Sequence, residues 1–114
     1  MNGWFDVSKS KADDFYFVLK AGNGEVVLTS EMYTSRQSLD EGIASVQLNS
    51  GDDGRYERTT STDGKFHFNL KAANQRVIGT SQLYASAGSR DTGIASVIDN
   101  GKSTTVKDST QDKS

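Results

Sequence analysis

The chain has 114 residues, and its 13 basic and 15 acidic side chains leave a formal net charge of −2. This length is typical of a single domain, and so small a charge supplies no long-range field to attract a polyanion. The sequence has no cysteine, which excludes disulfides, thiol nucleophiles and cysteine-based metal sites and is typical of a reducing compartment.

The start of the chain bears on its location. Met1–Asp6 has no basic stretch followed by an apolar run, so we expect no secretory signal. No segment approaches the roughly 20 apolar residues that a membrane-spanning helix needs. We therefore expect a cytoplasmic protein.

The first elements are predicted to be strands. Phe5–Ser8 is a short strand-like segment, and Phe15–Ala21 alternates with a period of two, which is typical of a half-buried strand. One face carries Phe15, Phe17 and Leu19, and the other carries Tyr16, Val18 and Lys20. A hairpin turn follows, in which we expect Asn23 to adopt the left-handed conformation, and Val26–Thr29 forms the next strand.

An amphipathic helix is predicted over residues 35–49. Apolar residues there recur at i, i+4 and i+7, at Leu39, Ile43 and Val46. Either Ser35 or Ser38 caps the helix, and Ser38 forms a capping box with Glu41 in the second case.

The second half of the chain repeats the first. When the sequence is shifted by 51 positions, residues 15–49 match residues 66–100 at 19 of 35 positions. Two copies at this period indicate a pseudo-twofold pair that shares one core, because solenoids need three or more repeats. Another strand-like segment, Tyr56–Thr59, precedes the second hairpin, and Thr104–Lys107 is predicted to form a last strand.

Each repeat is therefore predicted to be a β-β-β-α unit. We expect an α+β fold in which both units form one mainly antiparallel sheet, with two helices on one face and pseudo-twofold symmetry. The predicted domain spans residues 1–108, with repeats at 1–51 and 52–108, and residues 109–114 are predicted to be a disordered tail. The expected aromatic core is Phe15, Phe17, Phe66 and Phe68.

The repeated motifs resemble the YegP-like family of bacterial proteins of unknown function. They are Phe17–Gly24, Ser30–Tyr33 and Gly42–Val46, each with a second copy 51 residues later. The resemblance covers nearly the whole chain. It implies two β-β-β-α repeats in a single sheet, with strands near the repeat ends exchanged between halves, and single-copy relatives that pair as dimers. It implies no activity and no catalytic residue.

The candidate binding surface is the sheet face that the helices leave open. The hypothesis is a non-enzymatic module that binds a protein or peptide there, in its most general form by strand addition. The face is predicted to carry Tyr16, Lys20, His67, Asn69 and Lys71. For the lysines and the histidine, the competing interpretation is a purely solubilising surface role.

Two alternatives remain open. A small anion could bind, or weak catalysis occur, at the helix N-termini through Tyr33, Ser35 and Lys20, or through their counterparts Tyr84, Ser86 and Lys71. Against that, a tyrosine at such a position more often packs its ring under the connection to the helix and bonds the backbone. The other alternative is single-stranded nucleic acid on the open face, where aromatic and basic residues mix.

No residue cluster in the sequence predicts catalysis, a metal or a cofactor. His67 is the single histidine and has no neighbouring nucleophile or carboxylate set. Asp40 and Asp91 are expected in the first helical turn, where the helix dipole favours them. We expect a monomer that is not an enzyme, because the fused repeats already supply the interface that a single-copy relative obtains by dimerising.

Overall fold

The computed structural model describes residues 3–108. Within these residues the chain forms, in order, β1 Trp4–Lys9, β2 Phe15–Lys20, β3 Val26–Ser30, α1 Arg36–Asn49, a 3-10 turn Asp53–Arg55, β4 Tyr56–Thr60, β5 Phe66–Lys71, β6 Val77–Thr80, α2 Ala87–Asn100 and β7 Val106–Asp108. The two predicted β-β-β-α units are confirmed. The disordered tail predicted at 109–114 lies outside the described residues.

The seven strands form one sheet in the order β4-β5-β6-β3-β2-β1-β7. Neighbouring strands are antiparallel except for β1 and β7, which are parallel. The repeats meet at the centre, where Thr29 of β3 pairs with its own counterpart, Thr80 of β6. The pseudo-twofold axis therefore passes between these two strands.

The terminal strand β7 joins the halves a second time. It closes the second repeat but pairs with β1 of the first, in the manner of the exchange that the family resemblance implies. It begins two residues later than predicted. Its pairing with β1 is the parallel one in the described sheet, and the other strand pairs are antiparallel. The expectation of a mainly antiparallel sheet is therefore confirmed.

Both helices pack on one face of the sheet, where they cover a core of apolar side chains. The same ring packing occurs in each repeat: Phe5 meets Phe17 edge-on at 5.6 Å between ring centroids, and Tyr56 meets Phe68 at 5.7 Å. Burying these rings removes large apolar areas from water, which is the main stabilising contribution. The fully buried core side chains also include Val7, Leu19, Leu28, Leu39, Val46, Leu70 and Val97.

Two of the four aromatic residues predicted for the core are only half-buried. Phe17 and Phe68 are fully buried, but Phe15 and Phe66, the first residues of β2 and β5, are only partly buried. A cation covers each exposed ring instead: Lys9 Nζ lies 5.2 Å from the Phe15 ring centroid, and the Arg90 guanidinium lies 5.3 Å from that of Phe66.

Each helix begins with a serine cap. The hydroxyl of Ser35 accepts a hydrogen bond from the amide of Ser38 at 3.1 Å, and Ser86 accepts one from Ser89 at the same distance. Of the two predicted caps for the first helix, Ser35 is therefore the one used. This identifies the first helical residue of each repeat.

The start of the helices corrects the prediction for Asp40 and Asp91. Because α1 begins at Arg36 and α2 at Ala87, both carboxylates lie past the first turn, where the helix dipole contributes little. They form ion pairs instead. Asp40 bonds Arg36 Nε at 3.0 Å, and Asp91 lies 3.4 Å from Arg58 Nε.

The hairpin turns also differ from the prediction. The left-handed residue is not Asn23 but the next one, Gly24, with φ 87°, and its counterpart in the second repeat is Gln75, with φ 72°. Asn23 accepts a hydrogen bond from the amide of Glu25 at 3.0 Å. The asparagine therefore stabilises the turn through its side chain rather than through its backbone.

Two further pairs of equivalent residues touch each other at the pseudo-twofold axis and, unlike Thr29 and Thr80, each of these pairs is unequal in size. A Cβ atom built on Gly79 would lie 2.9 Å from Cγ of Leu28, its own counterpart. A Cβ atom built on Gly101 would lie 2.5 Å from Cβ of Ser50, which is again its counterpart. At each contact one repeat supplies the side chain and the other supplies the space.

Candidate binding face

The face opposite the helices is uncovered within the described residues. Along β2 and β5 the buried and partly exposed residues alternate, which places every second side chain on this face. All five residues that the sequence places on the open face lie there, namely Tyr16, Lys20, His67, Asn69 and Lys71. Trp4, Asp6, Val18, Thr29, Glu57 and Thr80 extend the face across the other strands.

The half of the face formed by β4 and β5 is polar. Glu57 accepts hydrogen bonds from Asn69 Nδ2 at 3.0 Å and from Lys71 Nζ at 3.1 Å, and Thr80 donates to Asn69 at 2.8 Å. The hydrogen bonds from Asn69 and Lys71, with a smaller electrostatic contribution from His67, lower the pKa of Glu57. This network holds four side chains of three strands in one arrangement.

The half formed by β1 and β2 is aromatic. Trp4 and Tyr16 are partly exposed, and Lys107 Nζ lies 4.1 Å above the centroid of the Trp4 ring. Lys20 Nζ is paired with Asp6 at 3.5 Å. Some equivalent positions of the two halves thus carry different residues on this face, such as Val18 and Asn69, whereas the core residues Phe17 and Leu19 recur as Phe68 and Leu70.

The open face includes the single histidine of the sequence. His67 lies on it, and its Nδ1 is buried with no hydrogen-bond partner. Among residues 3–108, however, no group of three or more His, Asp or Glu residues is placed to hold a metal ion. No helix in that range is long and apolar enough to cross a membrane.

The structure separates the residues of the predicted helix-terminal site. Lys20 points to the open face, whereas Tyr33 lies on the helix side, with its ring parallel to Phe17 at 6.4 Å. A Cβ atom built on Gly42 of α1 would lie 2.7 Å from Cζ of Tyr33, so the tyrosine packs against this helical glycine. Burial, and secondarily the charge of Glu31, raises the pKa of the Tyr33 hydroxyl.

The second repeat has the same arrangement. Tyr84 stacks on Phe68 at 6.4 Å and packs against Gly93, whose Cβ position lies 2.7 Å from its Cζ. Lys71 lies on the open face with Glu57. Neither lysine therefore meets the tyrosine and serine that were predicted to act with it.

A groove of about 640 Å³ runs beside Tyr33, between α1 and the β5–β6 turn of the other repeat. Met32, Ile78 and Ala72 contribute apolar surface to it, and Arg76 contributes a guanidinium. Sequence reasoning missed this groove because its walls come from different repeats, which nothing in the local pattern places side by side.

Comparison with known proteins agrees with this architecture. The family model described as a domain of unknown function, DUF1508, matches the chain twice, at residues 10–57 and 61–108. The chain belongs to this family. The two matches are consistent with two repeats, although the first begins after β1 and ends within β4. The resemblance noted from the sequence is confirmed.

Relatives in this family share the whole length of the chain. The UPF0339 protein YegP of Escherichia coli is 63% identical over 110 residues, which are 96% of this chain and 100% of that protein. A UPF0339 protein of Bordetella pertussis is 49% identical over 111 residues, covering 97% of this chain and 99% of that protein.

Solved structures of the family have the same fold. The solution NMR structure of YegP from Escherichia coli, a protein of unknown function, superposes with a TM-score of 0.93 at 61% identity, covering 99% of this chain and 97% of that one. A UPF0339 protein from Shewanella oneidensis gives a TM-score of 0.91 at 56% identity, over 96% and 93% of the two chains.

Proposed function

We propose that this protein is a non-enzymatic, monomeric binding module of the cytoplasm, whose open sheet face receives a partner protein. The observation that carries the proposal is the divergence of the two repeats on this face alone along β2 and β5. Phe17 and Leu19 recur as Phe68 and Leu70 in the core, and Lys20 recurs as Lys71 on the open face, whereas the two outward positions on either side of Phe17 change. Tyr16 becomes His67 and Val18 becomes Asn69.

The charges of the face favour a protein partner over a nucleic acid or a free anion. Lys20 is 3.5 Å from Asp6, and Lys71 is 3.1 Å from Glu57. Because both of these lysines are already paired with a carboxylate, neither is an unpaired cation of the kind that binds phosphates. A partner surface with one apolar part and one hydrogen-bonding part matches the aromatic and polar halves.

Site-specific photo-crosslinking in bacterial cells tests this proposal. A photoreactive amino acid is placed at Thr29, which is exposed at the centre of the face, or at Leu48, which is 79% exposed on the outer surface of α1. We expect a discrete adduct from position 29 and none from position 48. Equal adducts at both positions, or none at position 29, would contradict the proposal.

A titration with the crosslinked protein, once purified, tests which residues matter. Tyr16→Ala is expected to weaken its binding by about tenfold or more, because exposed aromatic residues dominate such interfaces. Leu48→Ala is the matched control and should leave the affinity unchanged. Sedimentation equilibrium of the free protein should give 12.3 kDa, and a mass near twice that value would contradict the monomer.

A second candidate function is small-anion binding in the groove beside Tyr33. The observation that favours it is Arg76, which has no ion pair among the described residues, whereas the other four arginines each pair with an aspartate. Inorganic phosphate and citrate should then raise the melting temperature of the wild type but not of Arg76→Gln. Equal responses of the two proteins would exclude this candidate.

A further inference from the structure

The outer edge of β4 has main-chain groups with no partner in the described chain. Phe66 and Phe68 direct their amides away from β4, to Tyr84 O at 2.8 Å and to Ser81 Oγ at 3.0 Å. Their cross-strand partners, Thr60 and Arg58, therefore form non-hydrogen-bonded pairs with β5 and direct their own amides and carbonyls outward. This edge can accept another strand.

The equivalent edge in the first repeat is occupied. A shift of 51 positions relates β1 to β4, and β7 covers the outer edge of β1 in parallel orientation. The amide of Phe5 donates to Thr105 O at 3.0 Å. The pairs in register are Phe5 with Val106, Asp6 with Lys107, and Val7 with Asp108. The pseudo-twofold operation maps this strand onto the outer edge of β4. The amide of Tyr56, the counterpart of Phe5, already donates to Asp53 O, so the open groups of this edge are those of Arg58 and Thr60.

The chain's own last strand is not free to fill the second position. Lys107 lies over the Trp4 ring, and Asp108 is ion-paired with Arg36 at the start of α1. The hydrogen bond and ion pair with Asp108 raise the pKa of Arg36. These contacts keep β7 on β1, so the occupant of the β4 edge comes from another protein.

The side chains of β4 specify the chemistry of that occupant. We place the partner segment on β4 in the register that β7 has on β1. Its residue opposite Glu57 then takes the place of Lys107, which lies opposite Asp6, and is a basic residue. The following residue lies opposite Arg58, which pairs with Asp53 at 3.0 Å and with Asp91 at 3.4 Å. It also lies near Arg90, whose Nη1 donates to Thr59 O at 3.2 Å and whose Nε shares Asp91 at 3.9 Å. An acidic residue matches this position.

We propose that the edge of β4 binds, in parallel orientation, an extended segment of a partner protein with the pattern apolar–basic–acidic. The proposal rests on the proposed function, because it names the strand that anchors the partner beside the polar half of the open face. Main-chain hydrogen bonds to Arg58 and Thr60 hold the segment, and Glu57 and Arg58 select its charged residues.

The probe is a synthetic octapeptide with the sequence of residues 103–110, Ser-Thr-Thr-Val-Lys-Asp-Ser-Thr, titrated into the isotope-labelled full chain and followed by NMR. We expect shifts of the Arg58 and Thr60 amides and none of Phe5 and Val7. A control peptide with Lys and Asp exchanged should bind at least fivefold more weakly. Shifts confined to β1, or no shift in β4, would overturn the proposal.

Two variants of β4 make the test specific. Thr60→Pro removes one outward amide without breaking a bond to β5 and should weaken peptide binding at least threefold, whereas Thr60→Ala should not. Should the proline variant not fold, Glu57→Lys tests the register by exchange of charge. It should lose the original peptide and bind one carrying Glu in place of Lys. Failure of this rescue would contradict the register.

The outcomes separate this inference from the proposed function. If position 29 still crosslinks its partner while the octapeptide leaves β4 unchanged, the edge proposal fails and the open face stands. If the peptide binds β4 but position 29 yields no adduct, the edge site stands and the open face fails. A third outcome is self-association that depends on protein concentration and is abolished by Thr60→Pro. It would show that a second copy of this chain occupies the β4 edge, and it would overturn the proposal that a different protein does.

Discussion

At the scale of single residues, the two helical glycines that face tyrosines explain a repeated motif. Glycine in a helix interior costs about 1 kcal/mol relative to alanine, yet Gly42 and Gly93 both lie mid-helix. Each leaves room for a tyrosine ring that would otherwise overlap a Cβ atom. The glycine of the motif Gly42–Val46, and that of its copy, is therefore required by packing against a tyrosine ring.

This packing predicts opposite effects for two glycine-to-alanine changes. Gly42→Ala should destabilise the fold by about 1–3 kcal/mol, because its Cβ overlaps Tyr33. Gly88→Ala, in the first turn of α2, has its nearest neighbour at 3.9 Å and should stabilise by up to about 1 kcal/mol. Urea denaturation measures both. A Gly42→Ala protein as stable as the wild type would show that Tyr33 does not fill this space.

A second prediction at this scale concerns the loss of thermal stability at acidic pH. The folded state lowers the pKa of Glu57 below its unfolded value, so the stabilising contribution is present above the unfolded pKa and is lost as pH falls through the folded one. We expect Glu57→Gln to show a smaller fall in melting temperature than the wild type between about pH 6 and pH 3. Glu25→Gln, at an exposed turn, is the control and should keep the wild-type slope.

At the scale of elements, the period-two pattern of Phe15–Ala21 and the helical spacing of Leu39, Ile43 and Val46 were enough to predict the strands and helices. Those patterns are local, as is the choice between Ser35 and Ser38 as cap. The partners of Lys20 and Lys71 were not predictable, because Asp6 and Glu57 reach them only through strand pairing. The half-burial of Phe15 depends similarly on where a helix ends in space.

The hairpin turns supply a prediction for this scale. Gln75 adopts a left-handed conformation that costs a non-glycine residue roughly 1–2 kcal/mol, whereas Gly24 adopts it freely. Gln75→Gly should therefore stabilise the protein, and Gly24→Gln should destabilise it by a similar amount. Thermal denaturation of the two variants measures this. Changes of the same sign would show that the turn conformations are not what distinguishes the repeats.

At the scale of the whole molecule, the sheet order was beyond the sequence pattern. The repeat predicts that the halves share a core, but it does not state which strands meet at the axis. The junction of β3 with β6 follows from the antiparallel pairing of Thr29 with Thr80. That junction determines which equivalent residues touch, and therefore where two copies of a large side chain would overlap, as at Leu28 and Gly79.

The contact between Leu28 and Gly79 allows the position of the pseudo-twofold axis to be tested by mutation. Leu28→Gly should cost roughly 3–5 kcal/mol through an unfilled cavity, and Gly79→Leu roughly 1–3 kcal/mol through overpacking. The double variant exchanges the two residues across the axis and should recover roughly 1–3 kcal/mol of the summed loss. A double-mutant cycle by urea denaturation measures the coupling. Strict additivity would show that the axis does not relate the two sites.

The contact of Ser50 with Gly101 has a consequence for how such a protein evolves. In a pair of identical chains, a residue on the axis faces its own copy, so one codon determines both sides of the contact. Fusion gives each side its own codon, and here one became serine while the other is glycine. Separating the halves would bring serine against serine, at positions whose Cβ atoms would lie 2.5 Å apart. The duplication has in this way become difficult to reverse.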